Sequence, residues 1–91
     1  MENTLFEWDN DKNRKLREER GVSFEMIIAS IEDGWLIDIV NHPNQEQYGH
    51  QKILHVCYDE YIYLVPFVKN GNTLFLKTII PSRKATKKYI H

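Results

Sequence analysis

The chain has 91 residues, of which 42% are hydrophobic and 27% are charged, and its formal net charge is −1. This length predicts a single domain over 1–91 with one modest core. No apolar run approaches the roughly 20 residues that span a bilayer. The first residues lack the basic and apolar stretches of a secretory signal, so we expect a cytoplasmic protein with no membrane partner. Cys57 is the only cysteine in the sequence, which excludes a disulfide framework and a thiolate metal cluster.

Acidic and basic residues are unevenly distributed along the chain. All thirteen acidic residues lie within positions 1–60 together with six Lys and Arg, which gives −7. Positions 61–91 hold six Lys and Arg and no acid, which gives +6. This asymmetry favours binding of a polyanion, or of an acidic protein partner, by the C-terminal third. A dipolar domain with a basic end and no such partner is the alternative.

Helix caps and apolar periodicity predict the secondary structure. Asp9 and Ser23 are suited to cap two N-terminal helices, Gly21 to end the first of them, and Ser82 to cap a short C-terminal helix. In chain order the predicted elements are a helix over 10–20, a helix that follows Ser23 and ends near Asp33, strands over 35–40, 52–58, 61–69 and 72–80, and a helix over 83–90. This order predicts an α+β fold, with two N-terminal helices, a four-stranded antiparallel sheet and a short C-terminal helix. The helices are expected on one face of the sheet, in two layers.

Two tight turns predict the register of the last three strands. They lie at 59–60 and 70–71, and the second is Asn-Gly, a strong hairpin signal. Two-residue turns place His55 opposite Leu64 and Leu64 opposite Lys77. His55 and Lys77 would then lie about 10 Å apart, across two strand spacings.

The same register sorts the strand residues into two faces. The first face is aromatic and aliphatic almost throughout, and we expect it to pack on the two N-terminal helices. Its residues are Leu54, Val56, Tyr58, Tyr61, Tyr63, Val65, Phe67, Leu74, Leu76 and Ile80. The second face carries His55 and Lys77. Its apolar residues are Ile53, Cys57, Ile62, Leu64, Phe75 and Ile79.

Three residues of the second face or its rim are candidates for a phosphate cradle. Arg83 follows the last strand, and its planar guanidinium can bind two phosphate oxygens at once. His55 can accept or donate a proton near neutral pH. Each has an alternative explanation: His55 as a half-buried strand residue with a satisfied ring, Lys77 as a charge that protects a sheet edge, and Arg83 and Lys84 as surface residues of a helix.

The sequence predicts no metal and no cofactor. His42, His50 and His91 do not have ligand spacing with Asp, Glu or Cys. A glycine-rich phosphate loop, a nucleophile elbow and a pair of catalytic carboxylates are all missing from the sequence. Metal chemistry is therefore not supported by the sequence.

Two segments of the chain resemble the BrnT family of bacterial type II toxins. The opening segment FEWDNDKNRKLREERGVSFE (6–25) is similar to the family's start, in which F-x-W-D leads through a Lys-containing helix to G-V-S-F-E. The closing segment TIIPSRKATKKY (78–89) is similar to the family's last motif, in which a basic residue, two isoleucines and two small residues precede Arg-Lys-Ala. The direct matches are Trp8, Asp9, Lys12, Gly21, Val22, Ser23, Phe24, Glu25, Arg83, Lys84 and Ala85.

The chain departs from this pattern at several positions. Leu16 stands where the family commonly has Asn. Glu19 and Arg20 stand where it often has Lys-His. Thr78 stands where it usually has Arg, with Lys77 as the neighbouring basic residue.

The resemblance implies a RelE-like ribonuclease fold and a toxin that inhibits growth by cleaving RNA. It also implies a ribbon-helix-helix antitoxin as partner, with operator DNA bound only through that antitoxin. Under this hypothesis the catalytic residues are Arg83, His55 and Lys77. The RNA-binding residues are Lys12, Lys15, Arg20, Lys84, Lys87 and Lys88. The alternative is a non-catalytic RelE-like binding module that acts as partner of a ribbon-helix-helix repressor.

Overall fold

A computed structural model describes residues 3–90 and gives an α+β fold. Its elements are β1 (Leu5–Trp8), α1 (Asn10–Arg20), α2 (Phe24–Glu32), β2 (Leu36–Asn41), α3 (Gln45–Tyr48), β3 (Gln51–Tyr58), β4 (Tyr61–Asn70), β5 (Thr73–Leu76), β6 (Ile80–Pro81) and α4 (Arg83–Tyr89). The strands form one sheet in the order β1-β5-β4-β3-β2, and β6 pairs with β4 beyond the end of β5. The α+β class is therefore confirmed. His91, considered above as a metal ligand, lies outside the described residues.

Within residues 3–90 the sheet has six strands and is not wholly antiparallel, so the predicted four-stranded antiparallel sheet is wrong. β1 lies parallel to β5, with Leu5 opposite Thr73 and Trp8 opposite Leu76. This pairing could not be predicted because β1 has only four residues and its partner lies far along the chain. The segment predicted as one strand over 72–80 is instead two, β5 and β6.

The predicted helix caps of α1 and α2 are confirmed. The Asp9 carboxylate accepts a hydrogen bond from the amide of Asp11, and Gly21 ends α1 with a positive φ of 69°. Ser23 Oγ accepts from the amide of Met26 at the start of α2. Side-chain acceptors at these positions satisfy amides that have no partner within the helix.

A buried asparagine fastens α1 to the start of α2. Asn13 Oδ1 accepts from the amide of Phe24 at 2.8 Å, and Asn13 Nδ2 donates to the carboxylate of Glu25 at 2.7 Å. Trp8 stacks on the ring of Phe24, with centroids 5.7 Å apart. These contacts give the opening segment, which carries half of the family resemblance, a structural role in the α1–α2 hairpin.

The α1–α2 face is the face of the sheet on which α1 and α2 pack. The strand residues of its core, apart from one, were predicted to lie there. The buried cluster is Leu16, Val22, Phe24, Ile27, Ile31, Leu54, Val56, Val65, Phe67, Leu74, Leu76 and Ile79. Ile79 is fully buried in this cluster although it was predicted on the other face, whereas Ile80 is exposed. A one-residue change of register between β5 and β6 explains the exchange, because it moves each side chain to the opposite face.

The α4 face is the opposite face of the sheet, on which α4 packs. Ala85 is buried there against Cys57 and Ile62. The Ser82 amide donates to the carbonyl of Ile62, and the Ile62 amide donates to Thr86 Oγ1, each at 2.9 Å. These bonds dock α4 on β4. The predicted two-layer arrangement is therefore wrong, because helices lie on both faces of the sheet.

The register of the β3–β4 hairpin is confirmed, and that of the β4–β5 hairpin is wrong by two residues. His55 lies opposite Leu64, as predicted. The second turn is Gly71-Asn72, with Asn70 opposite Thr73, whereas a turn at Asn70-Gly71 would pair Val68 with Thr73. Gly71 has a φ of 62°, which a glycine adopts without strain.

Candidate functional site

The candidate site lies on the α4 face, where α4 crosses the strands. The helix begins beside β6, passes over Ile62 on β4, and brings Tyr89 to β3 and β2. Ala85, Thr86 and Tyr89 recur at the spacing of one helical face, so they turn towards the sheet. A short helix with small and aromatic residues on one side thus covers the middle of the sheet.

His55 lies under the C-terminal end of α4. It is half-buried, and its ring meets the ring of Tyr89 edge-on, with centroids 6.2 Å apart and planes at 82°. Nδ1 is buried and has no hydrogen-bond partner among residues 3–90. The ring is thus packed, but its buried nitrogen is unsatisfied, unlike the ring of an ordinary structural histidine.

Burial lowers the pKa of His55 below its ordinary value of 6.5. The Asp38 carboxylate opposes this shift, and the Lys88 ammonium adds to it. Because desolvation disfavours the charged imidazolium, His55 is neutral at pH 7. A neutral imidazole can accept a proton.

Asp38 and Tyr89 complete the group that we term the His55 cluster. Asp38 lies opposite His55 in the β2–β3 register. Its carboxylate accepts from the amide of Ile39 at 2.8 Å and, at the longer distance of 3.4 Å, from the phenol of Tyr89. The cluster therefore places a carboxylate, an imidazole and a phenol at one end of α4.

The side of α4 that points away from the sheet is basic, and we term it the basic side of α4. Its four residues are Arg83, Lys84, Lys87 and Lys88, all of them exposed. Lys88 lies nearest the His55 cluster, since its Nζ is 5.3 Å from the centroid of the Tyr89 ring. The basic side and the cluster thus adjoin at the C-terminal end of the helix.

The structure does not bring the three predicted catalytic residues together. Lys77 does not lie opposite Leu64: that position is taken by Ile80, and the Lys77 amide donates to the carbonyl of Pro66. Lys77 therefore lies beside Pro66, two residues along β4 from Leu64, the partner of His55. Across two strand spacings, this gives a Cα separation between Lys77 and His55 on the order of 12 Å. The predicted row of His55, Leu64 and Lys77 is wrong, and the physical reason is the two-residue shift of the β4–β5 hairpin.

Arg83 lies at the other end of α4 from the His55 cluster. Tyr89 is six positions further along the helix, which corresponds to about 9 Å along the helix axis. Arg83 is on the rim of the α4 face, as expected, but it is not beside His55. Lys88 is the α4 residue whose charge acts on the pKa of His55.

The predicted RNA-binding residues fall on two opposite faces of the molecule. Lys12 and Lys15 are exposed on α1, which packs on the α1–α2 face. Arg20 donates to the carbonyl of Ile79 at 2.6 Å, so its guanidinium holds the segment between β5 and β6. The other three, Lys84, Lys87 and Lys88, share the basic side of α4. One bound strand therefore cannot lie flat against all six.

Sequence reasoning missed Asp38 and Tyr89 as members of the site. The i, i+4 spacing of Ala85 and Tyr89 indicates a buried side of α4, so Tyr89 carried a signal that could have been used. No such signal marked Asp38. The loop over 42–50 leaves the β2–β3 register open, and β2 has an irregularity between Leu36 and Asp38.

An apolar groove adjoins the cluster at the end of the sheet near α2. Its volume is about 650 Å³, and Tyr89 forms part of its wall. Trp35 and Ile37, which are 54% and 38% exposed, line it as well. Three acidic residues line it too: Asp33, Asp59 and Glu60. Exposed aromatic and aliphatic side chains of this kind are typical of protein interfaces.

Neither metal ligands nor a membrane span emerges from residues 3–90. No three His, Cys, Asp or Glu side chains in this range are grouped closely enough to hold a metal ion. None of the helices there is long and apolar enough to cross a bilayer.

Comparison with known proteins identifies no relative. No protein-family model, no curated protein and no solved structure matches the chain. The similarity to BrnT toxins therefore rests on the two segments quoted above.

Proposed function

We propose that this chain is the toxin of a type II toxin-antitoxin system and a metal-independent endoribonuclease of the RelE-like kind. It would inhibit growth by cleaving RNA. The observation that carries the proposal is the junction between the basic side of α4 and the neutral imidazole of His55. That junction offers cations for a phosphate backbone and a proton acceptor at the same place.

The basic side of α4 suits a single-stranded RNA. It carries four basic residues on one short helix, and the sequence has no acidic residue between 61 and 90. A strand that contacts all four would give a salt dependence of log K with a slope of about −3, since each neutralised phosphate contributes about −0.7 for single strands. Arg83 would anchor the strand at one end of α4, and Lys88 at the other.

Cleavage of RNA without a metal needs three groups. One removes the proton from the 2′-hydroxyl, one stabilises charge on the phosphate, and one protonates the leaving 5′-oxygen. Neutral His55 suits the first task and the Lys88 ammonium the second. The phenol of Tyr89 is the donor within reach for the third. The attack of the 2′-oxygen would leave a 2′,3′-cyclic phosphate and a 5′-hydroxyl.

The partner in this proposal is a ribbon-helix-helix antitoxin. An acidic segment of it would cover the basic side of α4, and apolar side chains next to that segment would enter the groove lined by Trp35 and Ile37. Tyr89 belongs to the His55 cluster and also lines the groove, so this binding would block the cluster. Operator DNA would be contacted by the antitoxin alone.

RNA binding and cleavage by the purified chain test the proposal. A fluorescently labelled single-stranded RNA is incubated with the protein in excess EDTA, and binding and product ends are measured. Arg83→Gln should weaken RNA binding about tenfold, the loss of one charge-assisted contact. Lys15→Gln, on the opposite face, is the matched variant. A loss confined to Lys15→Gln would mean that RNA binds α1 instead, and no cleavage by the wild type would contradict the ribonuclease.

A second candidate function is a non-catalytic RelE-like binding module that is partner to a ribbon-helix-helix repressor. Two observations favour it. The side of the sheet that carries His55 is covered by α4, and Arg83 and Lys77 lie away from His55. An exposed Trp35 beside an apolar groove also suits a partner protein. Tight binding of the repressor together with absence of RNA cleavage would select this candidate.

A further inference from the structure

A second cavity lies on the α1–α2 face, on the opposite side of the sheet from α4. Its volume is about 310 Å³, and it is bordered by the turn that contains Asn72. Three apolar residues form its floor: Ile39, Phe67 and Leu74. Three basic residues form its rim: His50, Lys52 and Lys69. No acidic residue lines it within the described part of the chain.

The strand register places the two lysines on the same face as diagonal neighbours. Lys52 lies opposite Phe67, and Lys69 lies opposite Leu74 two residues further along β4. Diagonal neighbours of this kind have β carbons about 7–8 Å apart. Both side chains can therefore reach one anion between them.

The basic side chains of the cavity have no ion-pair partner within residues 3–90. The side chains of Lys52, Lys69 and His50 make no hydrogen bond and no ion pair there. Like charges placed side by side on a sheet face repel each other, and a bound anion relieves that repulsion. His50 lies in the turn that precedes β3 and lines the same cavity.

The apolar floor adds a second requirement for the ligand. Phe67 and Leu74 are almost fully buried, so only a thin apolar surface is open to the cavity, and Ile39 borders it from β2. Side chains that stand on a sheet face make a broad, shallow floor, which suits a flat group. The cavity volume is at the lower end of the range of ligand pockets, about 300–1,000 Å³.

We propose that this cavity binds a small organic phosphate with a flat body, such as a nucleoside monophosphate. Lys52 and Lys69 would hold the phosphate dianion, and the flat body would lie on Phe67 and Leu74. A free nucleotide and the 5′-phosphate end of an RNA share this chemistry. The site is independent of the ribonuclease proposal, because it lies on the other face of the sheet from α4.

Amide chemical shifts of the ¹⁵N-labelled protein locate the binding. Adenosine monophosphate is titrated first, then adenosine and inorganic phosphate as separate probes. The expected result is a set of shifts at Lys52, Lys69 and Asn72, with adenosine monophosphate bound at least about tenfold tighter than either fragment. Shifts confined to 83–89 would overturn the proposal, since they would show that the phosphate binds α4. Equal affinity for inorganic phosphate and for adenosine monophosphate would also overturn the proposal.

Charge-neutral variants test the two lysines. Lys52→Gln and Lys69→Gln should each weaken nucleotide binding about tenfold, the loss of one charge-assisted contact. Arg14→Gln, an exposed cation on α1, is the matched control and should bind as the wild type does. Melting curves verify that each variant is folded. Wild-type affinity in both lysine variants would contradict the proposal.

A pair of dinucleotides distinguishes the two sources of the phosphate. One carries a 5′-phosphate and the other a 5′-hydroxyl. Tighter binding of the phosphorylated dinucleotide than of adenosine monophosphate would identify an RNA end as the ligand. Binding of the mononucleotide with exclusion of both dinucleotides would identify a free nucleotide. RNA cleavage is measured separately, so failure here and failure of the ribonuclease proposal are distinct results.

Discussion

The ring of His55 meets the ring of Tyr89 edge-on, with centroids 6.2 Å apart. This contact joins β3 to the end of α4 and sets the environment in which His55 titrates. Each ring limits the access of water to the other. The chemistry that we propose for the site depends on the neutral imidazole that this burial favours.

The first prediction concerns the pH dependence of RNA cleavage. Burial lowers the pKa of His55 below 6.5, so the neutral ring that acts as base predominates at pH 7. Cleavage should be constant between pH 7 and 8 and should fall as the pH drops below 6.5, where the ring becomes charged. Initial rates of the wild type across pH 5 to 8 measure this. A rate that rises towards pH 5 would mean that His55 is not the base.

The second prediction concerns stability. The unfolded chain protonates His55 more readily than the folded one, since burial lowers the folded pKa. The contribution of His55 to stability is therefore complete above pH 6.5 and is lost as the pH falls through the window between 6.5 and the folded pKa. Melting temperatures at several pH values measure it. His55→Gln should lose less stability than the wild type over this window, and parallel curves would contradict the prediction.

The third prediction concerns the α1–α2 hairpin. Asn13→Ala removes the acceptor for the Phe24 amide and leaves that buried donor unsatisfied. The free energy of unfolding should fall by about 1–3 kcal/mol. In a domain of this size, each kcal/mol lowers the melting temperature by roughly 4–8 °C. Asn10→Ala, at the exposed start of α1, is the matched control. A similar small loss in both variants would show that Asn13 does not fasten the hairpin.

Asn13 also makes the stability of the hairpin depend on pH, through Glu25. Its hydrogen bond lowers the pKa of Glu25 below 4.5, and the ion pair with Arg17 acts in the same direction. Asn13→Ala should thus lose most stability, relative to the wild type, above pH 4.5, where Glu25 is ionised in both folded and unfolded chains.

The fourth prediction concerns the β4–β5 turn. Gly71 has a φ of 62°, a conformation that costs a residue with a β carbon roughly 1–2 kcal/mol. Gly71→Val should lower stability by at least that amount, because a β-branched residue is the least tolerant of positive φ. Asn72→Val, at a position without positive φ, is the comparison, and chemical denaturation measures both. If Asn72→Val is the more damaging, the turn is placed wrongly.

Features that depend on neighbouring residues could be predicted from the sequence. The caps at Asp9 and Ser23 and the β3–β4 turn follow from two to four residues each, and all three are confirmed. The apolar strand residues that pack on α1 and α2 were also predicted, because a period of two is visible without knowledge of partners.

Features that depend on distant residues could not be predicted from the sequence. Both Asn70-Gly71 and Gly71-Asn72 allow a two-residue turn with positive φ at Gly71, and moving the turn by one residue moves the pairing by two. That shift separated Lys77 from His55. β1 has a partner far along the chain, and Asp38 joined the site through a register that no tight turn fixes.

The site was therefore predicted in part. His55 and the basic residues of α4 lie on or beside one face of the sheet, as expected. The predicted β3–β4 register and the predicted helix after the last strand are what place them there. Tyr89 and Lys88 replace Lys77 as its neighbours, because α4 crosses the strands and brings its C-terminal end to β3.

Growth arrest on induction tests the central claim, that His55 makes this chain a ribonuclease toxin, most directly. Wild type, His55→Gln and the matched loop variant His42→Gln are expressed at equal protein levels in cells without the antitoxin. Wild type and His42→Gln should stop growth and degrade RNA, and His55→Gln should do neither, because loss of a general base costs on the order of a hundredfold or more in rate. Full growth arrest by His55→Gln, or normal growth with the wild type, would contradict the claim.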